Sequence, residues 1–282
     1  MSERSDGHGG HSPYTDLDRP PLNERALTRA LVRPGGLWRE IRVLEETGST
    51  NADLAELARA GAEPGLVLVA ESQTSGRGRM GRSWTAPPRS GLAFSVLLPQ
   101  EESVTRLGWL PLVAGVAVVS ALRRFAEVEK FATSRVAGAM LKWPNDVLIG
   151  ERKLAGILAQ RVEAGVIIGI GLNVSLRPDE LPVPTATSLY VENVPADRDP
   201  LLRAILRELA VRHEEFRPGG EAALREAYRE MCGTLGRQVR VELPGDVVLT
   251  GRAADIEEAG RLVVNAPDGE HLLSAGDVVH VR

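Results

Sequence analysis

The residues Gly76-Arg77-Gly78-Arg79-Met80-Gly81 interleave glycines with arginines, and Arg82-Ser83-Trp84 follow at once. The first six satisfy G-x-G-x-x-G literally, but a dinucleotide site needs a helix opening at the loop. Pro87-Pro88 lie just downstream and oppose a helix. No Gly-Lys-Ser/Thr ending is present, so the segment is not a Walker loop. What remains is a loop carrying Arg77, Arg79 and Arg82. Guanidinium forks match phosphate and carboxylate oxygens, and glycines let a ligand approach the backbone. Trp84 could cover an aromatic ring. Taken alone, the segment reads as an anion site, with a solvated arginine loop or a nucleic-acid patch as alternatives.

A second group lies at Lys142-Trp143-Pro144-Asn145-Asp146 and Lys153-Leu154-Ala155-Gly156-Ile157-Leu158. Of 34 basic residues only Lys130, Lys142 and Lys153 are lysines, and two of them fall within this stretch. A compact ammonium beside an anionic reactant neutralises it and stabilises charge in a transition state. Asn145 and Asp146 could hydrogen-bond a ligand or hold magnesium through water. The plainer readings are a packed turn at Trp143-Pro144 and a turn cap at Asp146. Downstream, Gly169 and Gly171 share one face of a strand, a pattern that marks close passage of a ligand or a second backbone.

These groups sit in an ordinary globular composition. The chain has 282 residues, enough for one or two domains, with 43% hydrophobic and 26% charged residues. The net charge of −4 disfavours bulk nucleic-acid binding. Cys232 is the single cysteine, so neither an intramolecular disulfide nor a cysteine zinc site is expected. With no signal peptide in evidence, a cytoplasmic location is expected. Leu107–Leu122, the longest uncharged run, is shorter than the roughly 20 residues a spanning helix needs. It reads as the entrance to a core helix near Pro111–Phe125, not a membrane segment. His8 and His11 fall in a polar stretch over 1–20, expected to be a disordered tail.

The elements that must position these groups follow from periodicity and turn residues. Asn23 caps a helix over Glu24–Val32, and Ser49-Thr50-Asn51 supply capping side chains for Ala52–Ala60. Strands are expected at Ile41–Leu44, Gly65–Ala70, Leu92–Leu98, Val147–Ile149, Leu154–Gln160 and Val166–Val174. Helices over Leu201–Phe216 and Glu221–Arg229 come next. After Met231 the chain turns to short alternating strands, punctuated by Pro244-Gly245-Asp246 and Pro267-Asp268-Gly269. The expected architecture is α+β: a mixed β-sheet flanked by helices over 21–232, then a small C-terminal β-barrel over 233–282.

Read in order, Gly48-Ser49-Thr50-Asn51, the arginine loop through Trp84, Lys142–Asp146, Lys153–Leu158 and Gly169-Ile170-Gly171-Leu172-Asn173-Val174 resemble bacterial biotin protein ligases. The resemblance covers roughly residues 38–282. It implies ATP-dependent activation of biotin as biotinyl-5′-AMP, then transfer to a lysine of a biotin carboxyl carrier domain. By similarity Lys153 and Arg79 are catalytic. Ser49, Thr50, Asn51, Gln73, Arg77, Gly78, Arg79, Lys153, Gly169 and Gly171 belong to the biotin site. Arg79, Arg82, Trp84, Lys142, Asn145, Asp146 and Asn173 belong to the ATP and adenylate site, with Asp146 toward Mg2+. Met80 stands where some relatives carry another arginine, so that position need not be basic. About 37 residues precede the match, too few for the winged-helix domain of the regulatory relatives, so no specific DNA binding is expected. A lipoate or octanoate ligase of the same fold is the rival enzyme reading, and a nucleic-acid-binding regulator the rival of another class.

Overall fold

The computed structural model describes residues 19–281 apart from 100–103, 129–133, 218, 244 and 246. Most of the expected tail over 1–20, with His8 and His11, lies outside the described residues, as do Lys130 and parts of the Pro244–Asp246 turn. Arg19 and Pro20 are described, and they correct the expectation of disorder. Arg19 is buried and its guanidinium meets Glu180 and the Ser175 carbonyl. The Pro20 carbonyl accepts from Arg198.

Helix α1 (Glu24–Leu31) starts as expected at Asn23, whose Oδ1 accepts from Ala26 N at 2.9 Å. Strands β1 (Glu40–Leu44) and β2 (Leu66–Ala70) flank α2 (Thr50–Arg59) in sequence and pair in parallel. Then come β3 (Gly91–Leu98), the long helix α3 (Val104–Val128), β4 (Met140–Lys142), β5 (Asp146–Ile149), β6 (Arg152–Val162) and β7 (Gly165–Asn173). These seven strands form one sheet in the order β1-β2-β3-β7-β6-β5-β4, antiparallel except for β1–β2.

The sheet is buried on both faces, and strand periodicity sorts its side chains. Val67, Val69, Val96, Leu98 and Ile168 enter the large core beneath α1, α3, α4 (Arg198–Glu215) and α5 (Glu221–Met231). Leu66, Leu68, Leu97 and Ile167 turn to the other face, where α2 covers them with Leu54, Ala55 and Ala58. By the same period of two, Ser95, Gly169 and Gly171 continue that second face past the N-terminus of α2.

Two helix starts differ from the sequence expectation. α2 begins at Thr50, and Ser49 gives its N-terminus no side-chain bond. Gln73 takes over that duty: its Oε1 accepts from Thr50 N at 2.8 Å. α3 begins seven residues before Pro111. Proline cannot donate into the helix, but the extra turns are held from outside. Trp109 is buried, and its Nε1 donates to Glu258 O at 2.9 Å. α3 is long and apolar enough to cross a membrane, yet most of it is buried in this fold as a core helix.

The C-terminal strands β8 (Gln238–Leu243), β9 (Val247–Ile256), β10 (Leu262–Ala266), β11 (Gly269–Leu273) and β12 (Asp277–His280) form an antiparallel sheet in the order β11-β10-β9-β8-β12. β11 and β12 are its two edges and do not pair, so the sheet is open where a closed barrel was expected. It is not an independent appendage. Val239, Val241, Ile256, Leu262 and Val278 join the large core, and Trp143 Nε1 donates to Gly260 O at 3.2 Å.

At one point the two parts approach backbone to backbone. A Cβ at Gly108 would lie 2.4 Å from Ala259 O. Gly→Ala inside a helix normally stabilises by about 1 kcal/mol. Here the expected sign is reversed: Gly108→Ala should destabilise by roughly 1–3 kcal/mol through overpacking. Urea denaturation measures this, and a stabilised variant would contradict the interface.

Candidate active site

The arginine loop leaves the sheet after β2 and returns at β3. It folds as a narrow hairpin: Trp84 N donates to Gly76 O at 2.8 Å and Gly78 N to Arg82 O at 2.6 Å. A single 3-10 turn, Arg79–Gly81, forms its tip, with Met80 at φ 54°. The loop closes over the second face of the sheet and encloses a cavity of about 110 Å³.

One end of that cavity is polar and neutral. Ser49, Thr50 and Asn51, all buried at the start of α2, face Gln73 from the loop. Gln73 Oε1 lies 3.2 Å from Thr50 Oγ1. Ser95 Oγ lies 2.6 Å from Asn51 Oδ1 and 2.8 Å from Thr50 Oγ1. Asn51 Nδ2 reaches Leu158 O at 3.4 Å. Ser95 was not anticipated from sequence; its signal was a lone hydroxyl inside the apolar strand Leu92–Leu98.

Along the middle, Phe94, Ile157, Leu158 and Ile170 line the cavity; of these, Leu158 stands on the same face as its register partner Gly169. Two glycines make room there. A Cβ on Gly169 would sit 2.0 Å from Asn51 Oδ1, and one on Gly171 would sit 2.4 Å from Trp84 Cε2. The expected close approach is therefore real, but in this structure the chain's own side chains make it. Trp84 lies across Gly171 and its register partner Gly156, within 3.2 Å of a Cβ at Gly156.

The opposite end is cationic. Arg77, Arg79, Arg82 and Lys153 converge there. Lys153 is the second residue of β6, and its backbone is fixed: its N donates to Thr185 O at 2.7 Å, and its O accepts from Thr187 N at 2.8 Å. Its Nζ is 2.7 Å from Asp146 Oδ1 and 5.7 Å from the centre of the Trp84 ring. Arg79 Nη1 donates to Asn145 Oδ1 at 3.1 Å, and Asn145 Nδ2 donates to Ile157 O at 2.8 Å. Burial lowers the Arg79 guanidinium below its ordinary pKa, against the pull of Asp146 and Asp277. A desolvated cation of this kind interacts strongly with an incoming anion. Arg82 pairs with Asp277 on β12, which brings the C-terminal sheet to the rim.

A second, wider cavity of about 980 Å³ shares Arg82, Trp84, Asp146 and Lys153 as a common wall. Lys142 and Asn173 line this one and not the first. Asn173 Nδ2 donates to Thr187 O at 2.9 Å, while its buried Oδ1 has no hydrogen-bond partner. His280 on β12 also lines it. Burial lowers the pKa of His280, helped by Arg237 and Lys142 and opposed by Glu151. Neither His280 nor Asp277 was anticipated, because only the fold carries the C-terminal sheet to the site. Of the residues expected at the site, all those assigned to biotin meet in the first cavity. Those assigned to nucleotide divide: Arg79 and Asn145 stay in the first, Lys142 and Asn173 in the second, and the other three line both. Among the described residues no group of three His, Cys, Asp or Glu side chains could cage a metal.

Comparison with known proteins identifies the family. Residues 43–173 match the Biotin/lipoate A/B protein ligase family, and residues 234–281 match the Biotin protein ligase C terminal domain. A biotin–[acetyl-CoA-carboxylase] ligase of Mycobacterium tuberculosis is 44% identical over 95% of this chain and all of that protein. A bifunctional ligase/repressor, BirA of Bacillus subtilis, is 30% identical over 82% of this chain and 70% of that protein. The structure of the Aquifex aeolicus biotin protein ligase in complex with biotin and ATP superposes with a TM-score of 0.71 at 30% identity, covering 87% of this chain and 100% of that one. On sequence and fold together, this chain belongs to the biotin protein ligase family.

Proposed function

We propose that this chain joins biotin to ATP, forming biotinyl-5′-AMP and releasing pyrophosphate, and then passes the biotinyl group to a lysine of a biotin carboxyl carrier domain, releasing AMP. The observation that carries the reading is the polarity of the first cavity. Its closed end offers neutral donors and acceptors from Thr50, Asn51 and Gln73, backed by the buried Ser95, its middle is apolar, and its far end is cationic. Biotin has the same sequence of groups: a cyclic urea, an aliphatic chain and a carboxylate. Lipoate has no urea to satisfy that polar end, so the rival enzyme reading leaves buried polar groups without use.

Adenylation brings a carboxylate against a phosphate, and the residues needed are cations held in place beforehand. Lys153 takes the biotin carboxylate and then the acyl phosphate. Arg77 and Arg79 bind the anionic groups from the loop side, Arg79 steadied by Asn145. ATP is read into the wider cavity, where Lys142, Arg82 and the free Asn173 Oδ1 face it and Trp84 borders the adenylate. The residues fit a magnesium ion carried in by the phosphates: Asp146 is the one carboxylate both cavities share. Such an ion would neutralise phosphate charge. The acceptor lysine then attacks the acyl carbon, and AMP leaves. The reading places the enzyme in the cytoplasm with its carboxylase partner.

The assay is direct: incubation with biotin, ATP, magnesium and a carrier domain, followed by intact mass of the carrier. A carrier heavier by one biotinyl group is expected, and lipoylation alone would overturn the reading. Lys153→Ala should lower the rate of biotinyl-5′-AMP formation by a factor on the order of 100 or more, the scale of one lost electrostatic donor. Lys153→Arg should also be impaired, because a planar fork does not replace a point charge. Adenylation by Lys153→Ala at the wild-type rate would remove Lys153 from the mechanism.

Gly169→Ala tests the polar end separately. The added methyl would displace Asn51 and so weaken ground-state biotin binding. The KM for biotin should rise roughly tenfold or more, about 1.4 kcal/mol, with kcat much less affected. Steady-state kinetics of pyrophosphate release distinguish the two parameters.

A further inference from the structure

Behind the sheet, on the face away from both cavities, a carboxylate and a guanidinium are buried together. Glu71 follows β2 directly, and Arg198 is the first residue of α4; their side chains are 3% and 5% exposed. Arg198 Nη1 lies 2.6 Å from Glu71 Oε2 and 3.3 Å from Gly91 O. One guanidinium thus holds the first residue after β2 and the first residue of β3, the two ends of the segment that carries the arginine loop. Arg89 N, donating to Glu71 O at 2.8 Å, closes the base again.

The remaining valences of the pair are met by the N-terminal segment Arg19–Leu22. Leu22 N donates to Glu71 Oε1 at 2.5 Å, and Arg198 Nη2 donates to Pro20 O at 2.6 Å. Arg19 fastens this segment to Glu180 and to Ser175 O at 2.9 Å. Ser175 N in turn donates to Ser90 O, at the outgoing end of the loop segment, at 2.7 Å.

A buried ion pair is an expensive way to stabilise a fold, since desolvation offsets most of the attraction. What it supplies is a fixed geometry, and the geometry here belongs to a loop base. Two residues beyond Glu71 stands Gln73, at the polar end of the first cavity, followed by the loop with Arg77 and Arg79. We propose that Glu71 and Arg198, strapped by Arg19–Leu22, are positioning residues that set the arginine loop over the biotin cavity. The assignment rests on the ligase reading for its kinetic consequence, though not for its structural one.

The test uses the full chain carrying Glu71→Gln, which keeps the shape and the acceptor for Leu22 N while removing the charge. Circular dichroism establishes that the variant is folded. Trypsin then reports the loop at Arg77, Arg79 and Arg82, independently of activity. Cleavage there should accelerate several-fold with the rest of the chain still resistant. The KM for biotin should rise roughly tenfold and biotinyl-5′-AMP should escape into solution faster, with kcat changed less, the scale of one lost charge-assisted contact. A purely structural role would lower stability and leave cleavage, KM and escape as in the wild type; that result overturns the proposal. If Glu71→Gln does not fold, Arg19→Ala decides on the same readouts, since it frees the strap and leaves the pair in place. A wild-type chain that makes no biotinyl-5′-AMP refutes the ligase reading, and the trypsin comparison still judges the clamp.

Discussion

The contact between Lys153 Nζ and Asp146 Oδ1, at 2.7 Å, fixes the one point in the site where position matters most. Two anions repel, and a cation between them helps only if it is already in place when they arrive. Asp146 opens β5 and Lys153 stands near the start of β6, so a single hairpin supplies both partners. A register shift between Val147 and Leu148 sets their relative height. The hairpin is then locked at its outer end by the backbone bridge from Lys153 to Ala186. The arginines are arranged around this pair and not the reverse: Arg79 is steadied through Asn145, one residue before Asp146, and Arg82 by Asp277 from beyond it.

Much of this was legible in the sequence because it is local. Asn23 capped its helix as expected, and the apolar strands fell where alternation and buried runs put them. Gly169 and Gly171 announced a close approach through their spacing alone. What they approach was not legible. Asn51 and Trp84 come from far along the chain, and only the pairing of β6 with β7 beneath the folded loop brings them over the glycines. Gln73 as the cap of α2 was hidden for the same reason: local rules favour Ser49, and a tertiary contact replaced it.

The C-terminal strands carried the larger surprise. Alternation and turn residues identified them, but not that their hydrophobic face would merge with the large core, nor that Asp277 and His280 would reach the two cavities. The same packing explains the early start of α3. The turns before Pro111 are not helical by propensity; Trp109 and Gly108 lie against the turn between β9 and β10, and that contact holds them. An open sheet suffices in this setting, because its apolar side is closed by the catalytic part and not by its own edges.

Gln73 has one further consequence. A single oxygen, Gln73 Oε1, ends the backbone of a helix and also forms part of the floor on which a ligand would rest. Recognition and folding therefore share an atom, and neither can be adjusted there alone. Attempts to reshape the cavity for an altered ligand have more freedom at Leu158, whose side chain lines the cavity and, unlike that of Ile170, does not belong to the large core. Drift toward a new specificity would be expected to enter along that apolar side, with the polar end left as the part of the site that evolution finds hardest to edit.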